Sequence, residues 1–236
     1  MLLEVSHIDF SVGKTQILRS VSLKVNEGEL VGLVGRNGAG KSSILKSIIG
    51  LYQPQQGTVT FKGRDITKVG TRQRVLAGLA YSPEDARVFP EITVEENIRL
   101  GMWVAEDREG NGEKFELEDG FRIFPRLKGL LDRKAGTLSG GEKKMVSITR
   151  ALALGPSLLL LDESLEGLSP LVVRQFAEAA GRIREMGVSV ALAESNLRNA
   201  SLVVERTYVV ERGEILFEGT PEEIAQDERL STIVGR

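Results

Sequence analysis

The sequence Gly35-Arg36-Asn37-Gly38-Ala39-Gly40-Lys41-Ser42 matches the pattern G-x-x-x-x-G-K-[ST] at every fixed position. An apolar run, Leu30–Val34, precedes it, and apolar residues at helical spacing follow within residues 42–51. A strand, a glycine-rich turn and a helix in this order predict a loop whose backbone N–H groups point at phosphate oxygens, since glycine permits the unusual dihedrals. The helix N-terminus adds positive potential. We therefore predict that this loop binds the phosphates of a nucleotide.

Two side chains of the loop have separate predicted roles. Lys41 is expected to reach the β- and γ-phosphates as a point charge, and the Ser42 hydroxyl is expected to take one position on Mg²⁺. A fortuitous glycine turn is the alternative, and the flanking strand and helix argue against it. The predicted nucleotide-binding residues of the loop are Gly35, Arg36, Asn37, Gly38, Ala39, Gly40, Lys41, Ser42 and Ser43.

A second strand end supplies two acids. The apolar run 158–161 is followed directly by Asp162 and Glu163, and ligands bind at the carboxyl ends of strands in open α/β sheets. Adjacent acids at a strand end can also be only a helix cap. Together with the phosphate loop they favour function: Asp162 holds Mg²⁺ through water, and Glu163 orients or deprotonates the attacking water.

The remaining pattern indicates the fold class. Residues 78–81 and 188–193 are short apolar runs that charges mostly leave unbroken, as in strands covered on both faces. Helical segments between them predict an α/β fold with a mostly parallel sheet. The first 25 residues are strand-rich, and a terminal hairpin is predicted around Arg212-Gly213. The sheet is therefore accompanied by an antiparallel β portion.

Residues 85–136 differ in character, with helix signals and few strand runs. We interpret them as a helical subdomain inserted into a single domain that spans residues 1–236. Thr93 stands three residues before Glu96, a capping box that predicts a helix starting at Val94. The polar segment 106–113 predicts a flexible surface loop.

Composition excludes several classes of function. Lysine and arginine total 31 against 33 acids, so the net charge of -2 does not favour nucleic acid as a partner. The chain has no cysteine, which excludes disulfides and thiol nucleophiles, and its single histidine, His7, cannot build a multi-histidine metal site. The first residues lack a secretory signal, and the apolar run 151–161 is far shorter than the roughly 20 residues that cross a bilayer. A cytoplasmic location is expected.

Leu138-Ser139-Gly140-Gly141-Glu142 resembles the LSGGQ signature of ABC ATPases, with glutamate in the last place. In isolation Ser-Gly-Gly is a common turn, but here it lies between the two phosphate-site motifs. The resemblance implies a P-loop core of RecA type, with ATP and Mg²⁺ as cofactors. It also implies a head-to-tail dimer with a second ABC ATPase subunit, the same or different. The residues expected to act in trans on the partner's γ-phosphate are Ser139, Gly140, Gly141 and Glu142.

Further stretches look like the LivF type of branched-chain amino-acid importer. They include Pro83-Glu84, residues 93–97, residues 124–128 and Gly167-Leu168-Ser169-Pro170. The resemblance implies an ATPase on the inner face of the cell membrane, bound to integral permease subunits and indirectly to a solute-binding protein. The transported solute and the choice between homodimer and heterodimer stay open.

Some positions depart from the general ABC pattern. Glu84 stands where most members have a metal-reaching glutamine, and the LivF type shares this glutamate. Val12 falls where an aromatic residue usually stacks on adenine, with Phe10 two residues earlier on the same strand face. We therefore expect Glu84 to reach the metal and Val12 to contact the base without stacking on it.

Two further departures concern catalysis. Ser164 follows Glu163, where proline is usual, and Ser195 stands where most members have a switch histidine. Serine donates one hydrogen bond but is shorter and carries no positive charge. The catalytic residues implied by the resemblance are Glu163 and Ser195, and we expect slow hydrolysis.

Three classes of function remain after these observations. A transport ATPase comes first. A soluble ABC ATPase of an assembly complex, such as an iron–sulfur scaffold ATPase, is not excluded by size, whereas a chromosome-associated ATPase needs long coiled coil and no sustained heptads are present. A nucleotide-dependent scaffold with weak hydrolysis gains support from the missing histidine.

Overall fold

Ten strands and nine helices occur in residues 1–107 and 115–234, which are the residues that the computed structural model describes. The strands are β1 (Leu3–Val12), β2 (Thr15–Val25), β3 (Leu30–Val34), β4 (Gln56–Phe61), β5 (Arg64–Asp65), β6 (Leu79–Ser82), β7 (Leu158–Asp162), β8 (Ser189–Glu194), β9 (Arg206–Glu211) and β10 (Glu214–Gly219). The helices are α1 (Lys41–Ile49), α2 (Thr71–Leu76), α3 (Val94–Glu106), α4 (Leu117–Ile123), α5 (Gly140–Leu152), α6 (Pro170–Glu185), α7 (Leu197–Ala200), α8 (Pro221–Gln226) and α9 (Glu228–Val234).

The strands form two sheets. The larger has the order β10-β9-β3-β8-β7-β6 and is parallel except for β10, which pairs antiparallel with β9 at one edge. The smaller has the order β2-β1-β4-β5 and is antiparallel throughout. The mostly parallel sheet, the antiparallel portion and the terminal hairpin that the sequence predicts are therefore confirmed.

Side chains along the central strands point alternately to the two faces of the larger sheet, and a hydrophobic core covers each face. Leu158 and Leu160 pack with α1 and the antiparallel sheet, whereas Leu159 and Leu161 pack with α3, α5 and α6. All four are 5 % exposed or less. Burial on both faces explains why these strands read as unbroken apolar runs. Because β3, β8 and β7 are neighbours that pair in parallel, their carboxyl ends lie at one edge of the sheet.

Arg74 fixes the far end of α1. Its guanidinium is fully buried and donates to the carbonyls of Ser47 at 2.8 Å and Ile48 at 2.7 Å, in the last turn of the helix. It also donates to Val69 and Thr67. A cation at a helix C-terminus satisfies carbonyls that have no partner within the helix and favours the helix dipole.

Residues 85–107 and 115–136 contain α3, α4 and two 3-10 turns, Pro125–Gly129 and Ala135–Thr137. The capping box is confirmed, because Thr93 accepts from the Glu96 N–H and Glu96 accepts from the Thr93 N–H, and α3 begins at Val94. Most of the predicted surface loop, residues 106–113, lies outside the described residues. The boundaries of the helical subdomain stay a prediction. Within the described ranges, no helix is both long and apolar enough to cross a bilayer.

Candidate functional site

The loop between β3 and α1 has the backbone that phosphate binding requires. Gly38 and Gly40 have φ values of 80° and 112°, in the left-handed region that favours glycine. A Cβ at Gly35 would lie 2.1 Å from the Val210 carbonyl oxygen, so the chain needs glycine there for close packing. Gly40 is the N-cap of α1 and offers no side-chain cap to the first N–H groups of the helix. These donors are available to a phosphate, and the loop therefore fits the nucleotide that its sequence predicts.

Lys41 lies inside this loop and is 2 % exposed. Its Nζ donates to the carbonyls of Gly35 at 2.8 Å and Arg36 at 3.1 Å, and it pairs with Glu163 Oε1 at 3.1 Å. The ammonium is thus held by loop carbonyls and by the predicted catalytic carboxylate. A phosphate that enters the loop would replace the carboxylate as its anionic partner.

Ser42 and Asp162 are brought together as predicted. The Ser42 hydroxyl donates to Asp162 Oδ1 at 2.8 Å, and the Tyr81 hydroxyl donates to Asp162 Oδ2 at 2.7 Å. Burial, together with the Asp162 charge, raises the pKa of Tyr81, so the phenol remains a donor. A hydroxyl beside a carboxylate is an oxygen donor set that suits Mg²⁺. Tyr81 was not indicated by the sequence.

Glu163 directly follows β7 and has a φ of 45°, unusual for a residue with a Cβ. Burial raises the pKa of its carboxyl to about 7; a hydrogen bond with Glu166 adds to this, and the Lys41 charge opposes it. The same hydrogen bond lowers the pKa of Glu166. Asn37 of the phosphate loop is 3.5 Å from Glu166 Oε1. The two carboxylates and the loop thus form one network beside Lys41.

Ser195 and Glu84 lie near this edge of the sheet, after β8 and β6. The Ser195 backbone N–H and hydroxyl both donate to Glu194 Oε1, at 2.9 and 3.4 Å. Burial raises the pKa of Glu194. Glu84 is exposed, and among the described residues it has no hydrogen bond to Ser42 or Asp162. Its predicted role toward the metal stays a prediction.

The predicted base-contacting residues occupy the end of β1. Val12 is 60 % exposed, whereas Phe10 is 8 % exposed and stacks on Tyr52 with ring centroids 4.5 Å apart. Because the Phe10 ring already packs on another ring, stacking on a base would require it to move.

The signature forms the start of α5. Ser139 is the N-cap and accepts from the Glu142 N–H at 3.3 Å, and Glu142 Oε2 accepts from the Ser139 N–H at 3.0 Å. Glu142 also pairs with Arg126 at 3.0 Å. Ser139 and Gly140 are exposed. Within the part of the chain that the structure describes, the side-chain hydrogen bonds of Ser139 stay inside its own capping box, so its hydroxyl has no bond to the residues around Lys41.

Besides Tyr81, the sequence patterns did not indicate two other residues of the site, Glu166 and Lys144. Glu166 could have been noticed as an acid three residues after Glu163. Lys144 donates to the carbonyls of Glu163 at 2.8 Å and Glu166 at 3.0 Å, a contact between residues distant in sequence that leaves no local pattern.

Comparisons with known proteins identify the family of this chain. A family described as ABC transporter matches residues 18–166. The high-affinity branched-chain amino acid transport ATP-binding protein BraG of Pseudomonas aeruginosa is 38 % identical over 208 residues, 88 % of each chain. The lipopolysaccharide export system ATP-binding protein LptB of Escherichia coli is 34 % identical over 92 % of this chain and 90 % of its own.

Among solved structures, the ATP-binding cassette MJ1267 of an ABC transporter has a TM-score of 0.86 at 26 % identity and covers 100 % of this chain and 99 % of its own. The matched family, the relatives above and the shared fold identify the same class of protein. This chain belongs to the ABC transporter family of ATP-binding proteins and is an ATPase.

Proposed function

We propose that this chain powers the import of branched-chain or related amino acids through separate permease subunits. The similarity to BraG, at 38 % identity, supports the class of solute. The Pro83-Glu84 and Gly167-Leu168-Ser169-Pro170 stretches resemble those of the LivF type. The chain would work at the inner face of the cell membrane, with a solute-binding protein acting on the other side.

The observation that carries the ATPase half of this proposal is the convergence of Lys41, Ser42, Asp162 and Glu163. Lys41 would hold the β- and γ-phosphates in the loop. Ser42 and Asp162, with Glu84, would hold Mg²⁺, which when bound stabilises charge on the phosphates. Glu163 would accept the proton of the attacking water, because a base works best with a pKa close to the operating pH.

The exposed signature supports a dimer. Ser139 and Gly141 lie at the N-terminus of α5, where N–H groups favour an anion. Because the Ser139 hydroxyl is exposed and bonds only within its own turn, it would act on the nucleotide of a second ATPase subunit. Two nucleotides would then be enclosed between the subunits.

A second candidate function is export of lipopolysaccharide, since LptB of Escherichia coli is 34 % identical and LptB of Haemophilus influenzae is 32 % identical over 98 % of this chain. Uptake of radiolabelled leucine, isoleucine and valine in a deletion strain separates the two. Import predicts that uptake is lost and that the parent chain restores it, whereas Glu163→Gln does not. Unchanged uptake with accumulation of an envelope lipid would instead support export.

A further inference from the structure

Helix α5 starts at the signature and reaches the turn that carries Glu163. Lys144, five residues after Ser139, donates from Nζ to the carbonyl oxygens of Glu163 at 2.8 Å and Glu166 at 3.0 Å. The Glu166 N–H also donates to the Glu163 carbonyl, which closes the turn. Lys144 therefore joins both ends of one turn to the signature helix.

This turn needs such a contact. Glu163 has a φ of 45°, a backbone conformation that is costly for a residue with a Cβ and persists only when its surroundings impose it. The next residue is Ser164 rather than proline, so no ring restricts the backbone there. Two hydrogen bonds from one ammonium supply a restraint that the local sequence lacks.

Charge favours the same arrangement. Lys144 is half-buried, and burial lowers its pKa, while the carboxylates of Glu194, Glu166, Glu84 and Glu163 favour its charged form. Glu194 is the last residue of β8, and the other three acids lie in the turns after β7 and β6. The lysine thus supplies positive charge at the strand ends where Ser195 replaces a histidine.

The same helix holds a second turn in a similar way. Arg150 donates to the Ala86 carbonyl at 3.4 Å and the Arg87 carbonyl at 2.9 Å, just after Glu84. Ala86 and Arg87 have φ values of 57° and 40°. Two cationic side chains of α5 therefore contact two strained turns at the edge of the nucleotide site.

We propose that Lys144 is a positioning residue through which helix α5, and hence the signature at its start, sets the backbone of Glu163. When the signature engages the partner's nucleotide, a shift of α5 reaches the Glu163 turn through the two Lys144 hydrogen bonds. The inference rests on the proposed role of Glu163 in hydrolysis. Lys144 acts through Glu163 and does not itself touch the reacting atoms.

The test is a double-mutant cycle on the full-length chain, with single-turnover phosphate release from radiolabelled Mg-ATP. Lys144→Met removes both donors and should lower the hydrolysis rate about tenfold while the ATP Kd stays within about twofold, because the phosphate loop is intact. Lys144→Arg keeps donors and should retain most of the rate. Lys143→Met is the matched control, since among the described residues Lys143 has no side-chain hydrogen bond or ion pair, and it should match the parent.

Two further variants separate positioning from general damage. In a Glu163→Gln background, Lys144→Met should cause no further loss of hydrolysis rate, because the residue through which Lys144 acts is already disabled. Adding Ser164→Pro to Lys144→Met should recover part of the rate by restricting the turn. An unchanged rate in Lys144→Met, an equal loss in Lys143→Met, or additive losses with Glu163→Gln would overturn the inference. Full activity of Glu163→Gln alone would instead overturn the proposed role of Glu163.

Discussion

The phosphate loop and the signature segment, residues 138–142, differ in where their polar atoms find partners. In the loop, Lys41 and Ser42 bond to Glu163 and Asp162, more than a hundred residues away in sequence. In the signature, Ser139 bonds to Glu142 within one helical turn and remains exposed. The loop half of the site is thus assembled by the tertiary fold, and in the proposed function the nucleotide would displace existing partners such as the Glu163 carboxylate. The signature half is built from local contacts, and in the proposed function a second subunit's surface would complete it.

Glu163→Gln should give the largest effect on the loop half. The amide keeps the shape but cannot accept a proton, and a general base contributes about 10²–10⁴-fold to rate. We expect hydrolysis to fall by at least about a hundredfold while ATP stays bound and the dimer is favoured. Phosphate release and size-exclusion chromatography with ATP measure both. The exposed Glu185→Gln is the control, and a variant that hydrolyses as fast as the parent would exclude Glu163 as the base.

Lys41→Ala should abolish most ATP binding. The phosphates lose a charge-assisted partner, and hydrogen bonds to charged groups contribute about 1.5–3 kcal/mol each, so Kd should rise by roughly a hundredfold. Calorimetric titration with Mg-ATP measures this, with the exposed Lys68→Ala as control. Unchanged affinity would mean that the loop does not bind the nucleotide as we describe.

Ser195→His should accelerate hydrolysis. Losing one well-placed donor at a developing charge costs about 10²–10³-fold, so the parent chain should turn over slowly and the histidine should recover at least about tenfold. The gain should vanish in the Glu163→Gln background. The prediction fails if the parent hydrolyses ATP fast and Ser195→His leaves the rate unchanged or lowers it. Glu163 and its neighbours would then position the water without help from position 195.

Ser139→Ala tests the signature half. Removing an N-cap serine costs about 1 kcal/mol of stability, and the isolated chain should still bind ATP with the parent's Kd. Hydrolysis by the dimer should fall by about tenfold, as expected when one hydrogen bond of about 1.4 kcal/mol is lost in trans. Thr220→Ala removes the equivalent cap of α8 and should lower stability alone. An equal loss of ATP affinity in the isolated chain would show that Ser139 belongs to its own subunit's site.

Val12→Tyr should have the smallest effect. Phosphates and metal supply most contacts, so ATP and GTP should compete within roughly tenfold, or about 1.4 kcal/mol, in the parent. An aromatic face at position 12 should tighten ATP binding by about two- to tenfold, since aromatic pairs contribute about 0.5–1.5 kcal/mol. Competition titrations measure both, and a strong parental preference for ATP would show that another group reads the base.

The same contrast explains how far the sequence could predict this protein. The strand, turn and helix around the phosphate loop, the capping box at Thr93 and the buried strands are local patterns, and the structure confirms that they form. Nucleotide binding by the loop stays a prediction. The bond from Tyr81 to Asp162 and those from Lys144 to Glu163 and Glu166 depend on β6 lying beside β7 and on α5 packing near the end of β7. Such contacts join distant segments, and no spacing in the chain encodes them. The left-handed backbone of Glu163 also has no signal in residue type.

The helix that carries the phosphate loop also depends on Arg74, a buried residue that the nucleotide does not contact. Its guanidinium binds the last carbonyls of α1, the helix whose first turn is to hold the phosphates. A Cβ at Gly50 would lie 2.9 Å from Arg74 Nε, so even the residue that ends the helix has little space to vary. Buried unpaired carbonyls are costly, and loss of stability lowers the amount of folded protein in cells. A genetic screen should therefore find that substitutions of Arg74 cause severe transport defects. They would do so although Arg74 bonds to the end of α1 that lies opposite the phosphates.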